Sequence, residues 1–121
     1  MSKRRVVITG LGIVSPVGNT VESAWENIIS GKSGITRISR FDASNFASQI
    51  AGEVKDFDIQ AYLSVKEARR MDTFIHFGMA AGIQAIRDAN LEDLTHLDAE
   101  RIGVNIGSGI GGLPMIENTD A

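Results

Sequence analysis

Lys66, Arg69 and Arg70 stand at positions i, i+3 and i+4, which places all three cations on one face of a helix start. Cations in that position oppose the helix macrodipole, each by roughly a few tenths of a kcal/mol. Contact with phosphate or with an acidic protein surface gives such a face a use. Without a partner it is a solvated basic turn, partly balanced by Glu67. A second candidate is Gly107-Ser108-Gly109-Ile110-Gly111-Gly112, which follows an apolar run and satisfies G-x-G-x-x-G. In a dinucleotide fold such glycines allow a tight turn and bring a pyrophosphate to a helix N-terminus. That chemistry also requires a following helix, a further strand and an acid about 20 residues on. Here Pro114 intervenes and nine residues follow Gly112. The earlier Thr9-Gly10-Leu11-Gly12-Ile13-Val14-Ser15 has Ser15 in the place of the third glycine, with Pro16 after it. Both segments read better as tight turns where strands leave a sheet.

The nucleophile and ligand inventory is short. The chain has no cysteine, which excludes disulfides and thiolate-bound metal. His76 and His96 stand apart, without metal-ligand spacing, so both read as structural or solvent-exposed, and no metal site is predicted. A net charge of −3 and a pI near 5.3 argue against general attraction to nucleic acid or to an anionic membrane. No stretch approaches the roughly 18 apolar residues of a membrane span. The start, MSKRRVVITG, is charged like a signal peptide, but glycine punctuates the apolar stretch and no small-residue cleavage site follows. The expectation is a cytoplasmic protein without nucleic-acid or membrane partners. The 121 residues, 43% of them hydrophobic, suffice for one modest core and leave no room for a second.

The elements that would position these residues follow from periodicity. Arg5-Val6-Val7-Ile8-Thr9 and Ile102-Gly103-Val104-Asn105-Ile106-Gly107 read as short buried strands, implying a parallel sheet. Asn19 with Glu22 predicts a capped helix carrying Val21, Ala24, Trp25 and Ile28 on its apolar stripe, ended by Gly31. Residues 32–63 read as a surface excursion with a weak extended segment near Ile50 to Val54 and a helical turn around Ile59 to Leu63. Ser64 and Glu67 form another capping box, opening a helical pattern that runs to about Asn90, about 39 Å if unbroken. Asp72 offers a second N-cap inside that pattern. Large apolar residues from Met71 to Ile86, thinned by Gly78, Ala81, Gly82 and Ala85, predict a nearly buried helix. Gly78 and Gly82 would let another element approach closely.

Taken in order, VVITGLGIVSPVGNTVESAWENIISGKSGI, FD, KEARRMDTFIHFGMAAGIQAI and RIGVNIGSGIGGL resemble the N-terminal part of the β-ketoacyl-acyl-carrier-protein synthases, closest to the type II elongating enzymes. The resemblance covers essentially the whole chain. It implies an α/β protein with the thiolase-like layered α/β/α/β/α fold. Residues 1–121 would supply an incomplete N-terminal portion of the family's N-terminal domain, stopping before the catalytic Cys. It further implies a homodimeric parent that needs no cofactor.

The implied reaction is a decarboxylative Claisen condensation. A Cys thiolate takes an acyl group from acyl-carrier protein, and a pair of His residues assists decarboxylation of the malonyl thioester and holds the enolate. In the family all three lie beyond the residues matched here, so neither His76 nor His96 inherits a catalytic role, and the chain alone is expected to be inactive. Two sites do carry over from the resemblance. Lys66, Arg69 and Arg70 fall where the family meets acyl-carrier protein, and Ile110 falls where it lines the acyl-chain pocket. Two other readings stand beside this one: a non-catalytic partner resembling a chain-length factor, and a Rossmann-type nucleotide-binding domain.

Overall fold

The computed structural model describes residues 3–119. Helix α1 spans Val21–Ile29. Thr20, not Asn19, is its N-cap: the Thr20 hydroxyl accepts from the Ser23 N–H, and the Ser23 hydroxyl accepts from the Thr20 N–H. Asn19 is drawn away by a tertiary bond, its amide donating to the Lys55 carbonyl at 2.6 Å. Gly31 ends α1 as expected. Its N–H donates to Ile28 and the next N–H, of Lys32, donates to Asn27, the paired bonds of a Schellman motif around a left-handed glycine.

A hairpin follows. β1 (Ile35–Arg37) pairs antiparallel with β2 (Ile50–Gly52), with Thr36 opposite Ala51. A 3₁₀ turn at Ile59–Ala61 lies where a helical turn was expected. The long helical pattern then divides at Asp72. Helix α2 (Val65–Ala68) is one turn with the expected Ser64 and Glu67 capping box. Asp72 is extended (φ −76, ψ 162) and begins α3 (Thr73–Asp88). Asn90, at φ 55, ends α3 with a second Schellman pair, Asn90 N–H to Arg87 and Leu91 N–H to Ile86. A 3₁₀ turn at Ala99–Arg101 precedes α4 (Leu113–Thr119). No helix among the described residues is long and apolar enough to cross a membrane.

α3 is the element on which distant segments converge. On one side, Gly10 and Gly12 lie so close to α3 that a Cβ on Gly12 would overlap the Ala81 carbonyl. The segment is held there by Leu11 N–H to the Asp88 carboxylate at 2.9 Å and Ile13 N–H to Gln84 Oε1 at 3.2 Å. Gln84 also donates to the Asn19 carbonyl and to the Tyr62 hydroxyl, so one amide ties three segments together. On another side, the Ile106 side chain lies against Gly78 and Gly82, where an added Cβ would be in ordinary van der Waals contact, so packing there does not require the close approach expected of that pair. Phe77 meets Phe57 edge-on at 5.1 Å. The buried apolar residues among the described residues are Ala24, Ala43, Ala68 and Ala80, all of them small.

Three expectations are corrected. Residues 5–9 and 102–107 form no strand, and the described sheet is antiparallel and lies elsewhere. β-branched composition favours a pleated backbone, but a strand exists only with a hydrogen-bonded neighbour, and among the described residues none runs beside either segment. Their side chains are accordingly open, with Val6 88% and Val104 77% exposed. Finally, α3 is not nearly buried: Ala80 alone is buried along it, and Phe74 and Ile86 are exposed, because the segments that cross it cover it in strips.

Candidate functional site

The corner between α2 and α3 carries the basic residues. Lys66 lies within the single turn of α2, Arg69 is its C-cap, and Arg70 follows. All three are exposed. Lys66, second of the four residues, lies in the first turn as well as the last. Arg69 and Arg70 stand at the C-terminal end of α2, where positive charge is favoured, so the dipole penalty expected of a helix start does not arise for them. Nor does Glu67 balance them. Its carboxylate turns back to accept from the Ser64 hydroxyl and N–H, and that hydroxyl holds the Glu67 carboxyl below its ordinary range, the Ser64 backbone adding to the effect. Among the described residues the single ion pair is Arg87 with Glu92 at 3.1 Å, which leaves the three cations without a carboxylate. The corner is fixed by His76, whose Nε2 donates to the Ala68 carbonyl at 2.8 Å. His76 is thus held by a backbone contact and His96 is exposed, as expected.

Beside this corner runs an apolar groove of about 390 Å³. Phe74, Ile75, Gly78 and Met79 of α3 form one wall, and Ile106, Gly107 and Ser108 form the other. A groove of this size and lining can take an apolar chain. Ile110 is in the loop that continues from it, 76% exposed and outside the groove lining. The structure therefore brings the glycine-rich segment against the first turns of α3, directly after the basic corner. Sequence reasoning singled out Ile110 and missed Phe74 and Ile106 as lining residues. It also missed a second role of Asp72: besides capping α3 through Oδ1 to the Thr73 N–H, it accepts through Oδ2 from the Met115 N–H of α4. The one signal for this was Gly112, which tolerates a neighbour that a side chain would exclude.

The nucleotide-binding reading would place a pyrophosphate at the N-terminus of the helix after the glycines; there the Asp72 carboxylate accepts from the Met115 N–H.

Comparison with known proteins agrees with the motifs. The model of the β-ketoacyl synthase N-terminal domain matches residues 3–121. The chain is 61% identical over 117 residues to a protein of Vibrio harveyi named 3-oxoacyl-[acyl-carrier-protein] synthase 2, covering 97% of this chain and 28% of that protein. The chain thus spans 28% of the length of that curated relative. Among solved structures, it superposes with TM-score 0.70 and 29% identity on the apo AntDE:AntF complex, a type II PKS acyl-carrier protein with its ketosynthase bound to the hexaketide, over 92% of this chain and 29% of that one. The ishigamide ketosynthase/chain length factor gives TM-score 0.63 and 30% identity over 84% of this chain and 24% of that one.

Proposed function

This chain belongs to the β-ketoacyl synthase family, and from that premise we propose that the protein carrying it condenses an acyl thioester with malonyl-acyl-carrier protein in fatty-acid elongation. The observation that carries the reading is the 61% identity to the Vibrio harveyi synthase across 97% of the chain. In this reading residues 1–121 are the opening portion of the family's N-terminal domain within a homodimeric, cytoplasmic enzyme of layered α/β/α/β/α form. Residues 5–9 and 102–107 become strands when the rest of that sheet lies beside them, which accounts for their β-branched composition and their open faces here.

Lys66, Arg69 and Arg70 receive acyl-carrier protein. Their exposure and lack of carboxylate partners among the described residues leave their charge available to an acidic surface, where it steers encounter more than it tightens the complex. Ile110 bounds the site of the acyl chain, next to the apolar groove along α3. The condensation itself requires a thiolate, and these 121 residues hold no cysteine. The chain by itself therefore docks carrier protein and helps shape the acyl site without forming the acyl-enzyme.

The test is incubation of the whole protein with acyl- and malonyl-carrier proteins, following carbon dioxide release and the β-ketoacyl product. Release that depends on the acyl primer is expected, and its absence would overturn the reading. One other outcome is a non-catalytic partner resembling a chain-length factor; the ishigamide structure's name pairs a ketosynthase with such a factor. That partner would take up no acyl group from acyl-carrier protein, a difference mass spectrometry of the intact protein reads directly.

A further inference from the structure

The loop carrying Ile110 is free at one end and anchored at the other. A Cβ on Gly107 or Gly109 would meet nothing within 4 Å, whereas Gly111, at φ +83, lies against the Phe74 ring, and a Cβ on Gly112 would overlap the Asp72 carboxylate. That carboxylate serves two helices, Oδ1 accepting from the Thr73 N–H at 2.7 Å and Oδ2 from the Met115 N–H at 3.4 Å. Gly112 stands immediately before Leu113, so α4 has no side chain of its own at its start to accept from its free amides. A residue 43 positions away in sequence takes that part.

We infer that Asp72 is a positioning residue for Ile110: by clamping Gly112 and the start of α4 to the start of α3, it limits how far Ile110 can move aside and so sharpens the acyl-length limit. The inference rests on the reading that Ile110 bounds the acyl site. Asp72 touches no acyl chain in this account and acts through the loop. Its effect therefore belongs in discrimination between primer lengths, not in the KM for malonyl-carrier protein.

The decisive variant in the whole protein is Asp72→Asn. Its remaining oxygen can still cap Thr73, but its NH₂ turns a donor toward the Met115 N–H and leaves that amide unpaired. Expected are faster hydrogen exchange at the Met115 amide and a fall of about tenfold in the ratio of kcat/KM between preferred and over-long primers, a range that contact with one or two methylenes spans. Gly112→Ala displaces the same carboxylate and should blur the limit equally, and the double variant should be no worse than either single one, because both remove one contact. Ile110→Phe separates the two layers. A length profile moved by Ile110→Phe but untouched by Asp72→Asn would refute the role of Asp72, and a profile untouched by both would refute the pocket reading on which it rests. An unaltered Met115 amide in Asp72→Asn would overturn the inference whatever the kinetics.

Discussion

Gly10-Leu11-Gly12 and Gly107-Ser108-Gly109 each follow a β-branched run and each run beside α3, yet the glycines do different work. In the first segment they are required by contact, since a Cβ on Gly10 or Gly12 would overlap the α3 backbone. Hydrogen bonds from the Leu11 and Ile13 N–H groups to Asp88 and Gln84 fix the approach. In the second, Gly107 and Gly109 have open space where a Cβ would go, and an apolar groove lies alongside. Glycine that packing demands marks a structural joint. Glycine that packing does not demand, beside a groove, marks room for something else.

The comparison breaks most directly at its glycines. Gly12→Ala forces α3 and the preceding segment apart, and overpacking of this kind costs about 1–3 kcal/mol. Gly109→Ala enters open space on backbone that is not left-handed, and should stay within about 0.5 kcal/mol of the unaltered protein. Denaturant unfolding of the whole protein reads both, and equal losses would erase the distinction between the segments.

A functional probe sharpens the same contrast. Ile110→Phe should lower kcat/KM for the longest accepted primers by about tenfold or more, on the scale at which apolar sites discriminate methylenes, while short primers are spared. A uniform loss across primer lengths would mean a disturbed fold and not a smaller acyl site.

The basic corner should give a smaller effect that depends on salt. Exposed charge pairs contribute about 0.2–1 kcal/mol each. Reversing Arg69 and Arg70 to Glu should therefore raise the KM for carrier-protein substrates severalfold at low ionic strength, with the difference fading as salt screens it. Turnover of a small acyl thioester should change little. Carrier-protein kinetics unaltered at low salt would return Lys66, Arg69 and Arg70 to a solvated turn.

The smallest effect concerns the turn beneath those cations. The Ser64 hydroxyl, with its backbone N–H, holds Glu67 below its ordinary 4.5. A carboxyl whose folded value is depressed adds stability above its unfolded value and loses it as pH falls through the folded one. Glu67→Gln should thus lower stability slightly at neutral pH, where that contribution is present, and flatten the acid limb of the stability profile below the 4.5 of the unfolded group. An acid limb unchanged by Glu67→Gln would show that this capping box does not respond to pH.

Much of the local structure was legible because its causes lie within a few residues. Ser64 with Glu67, Asp72 as an N-cap and Gly31 as a helix stop each act on backbone groups one to four positions away, so residue type and spacing suffice. Asn19 shows where that reasoning fails: its composition suited an N-cap, but the Lys55 carbonyl, 36 residues on, took its amide and left the cap to Thr20. The basic corner and the loop at Ile110 were named from sequence. The groove between them was not, because Phe74 and Ile106 meet only after the chain returns to α3.

By itself, then, the sequence determined the caps at Ser64 and Asp72, the helix stop at Gly31, and the motif order that identifies the β-ketoacyl synthase family. Tertiary structure alone decided which extended segments find a partner, that Gln84 joins three segments, and that Asp72 serves two helices. The physical reason is the range of the interaction. A cap closes within one turn and is written in neighbouring residues, whereas strand pairing and a contact spanning 43 residues depend on where the whole chain brings its distant parts.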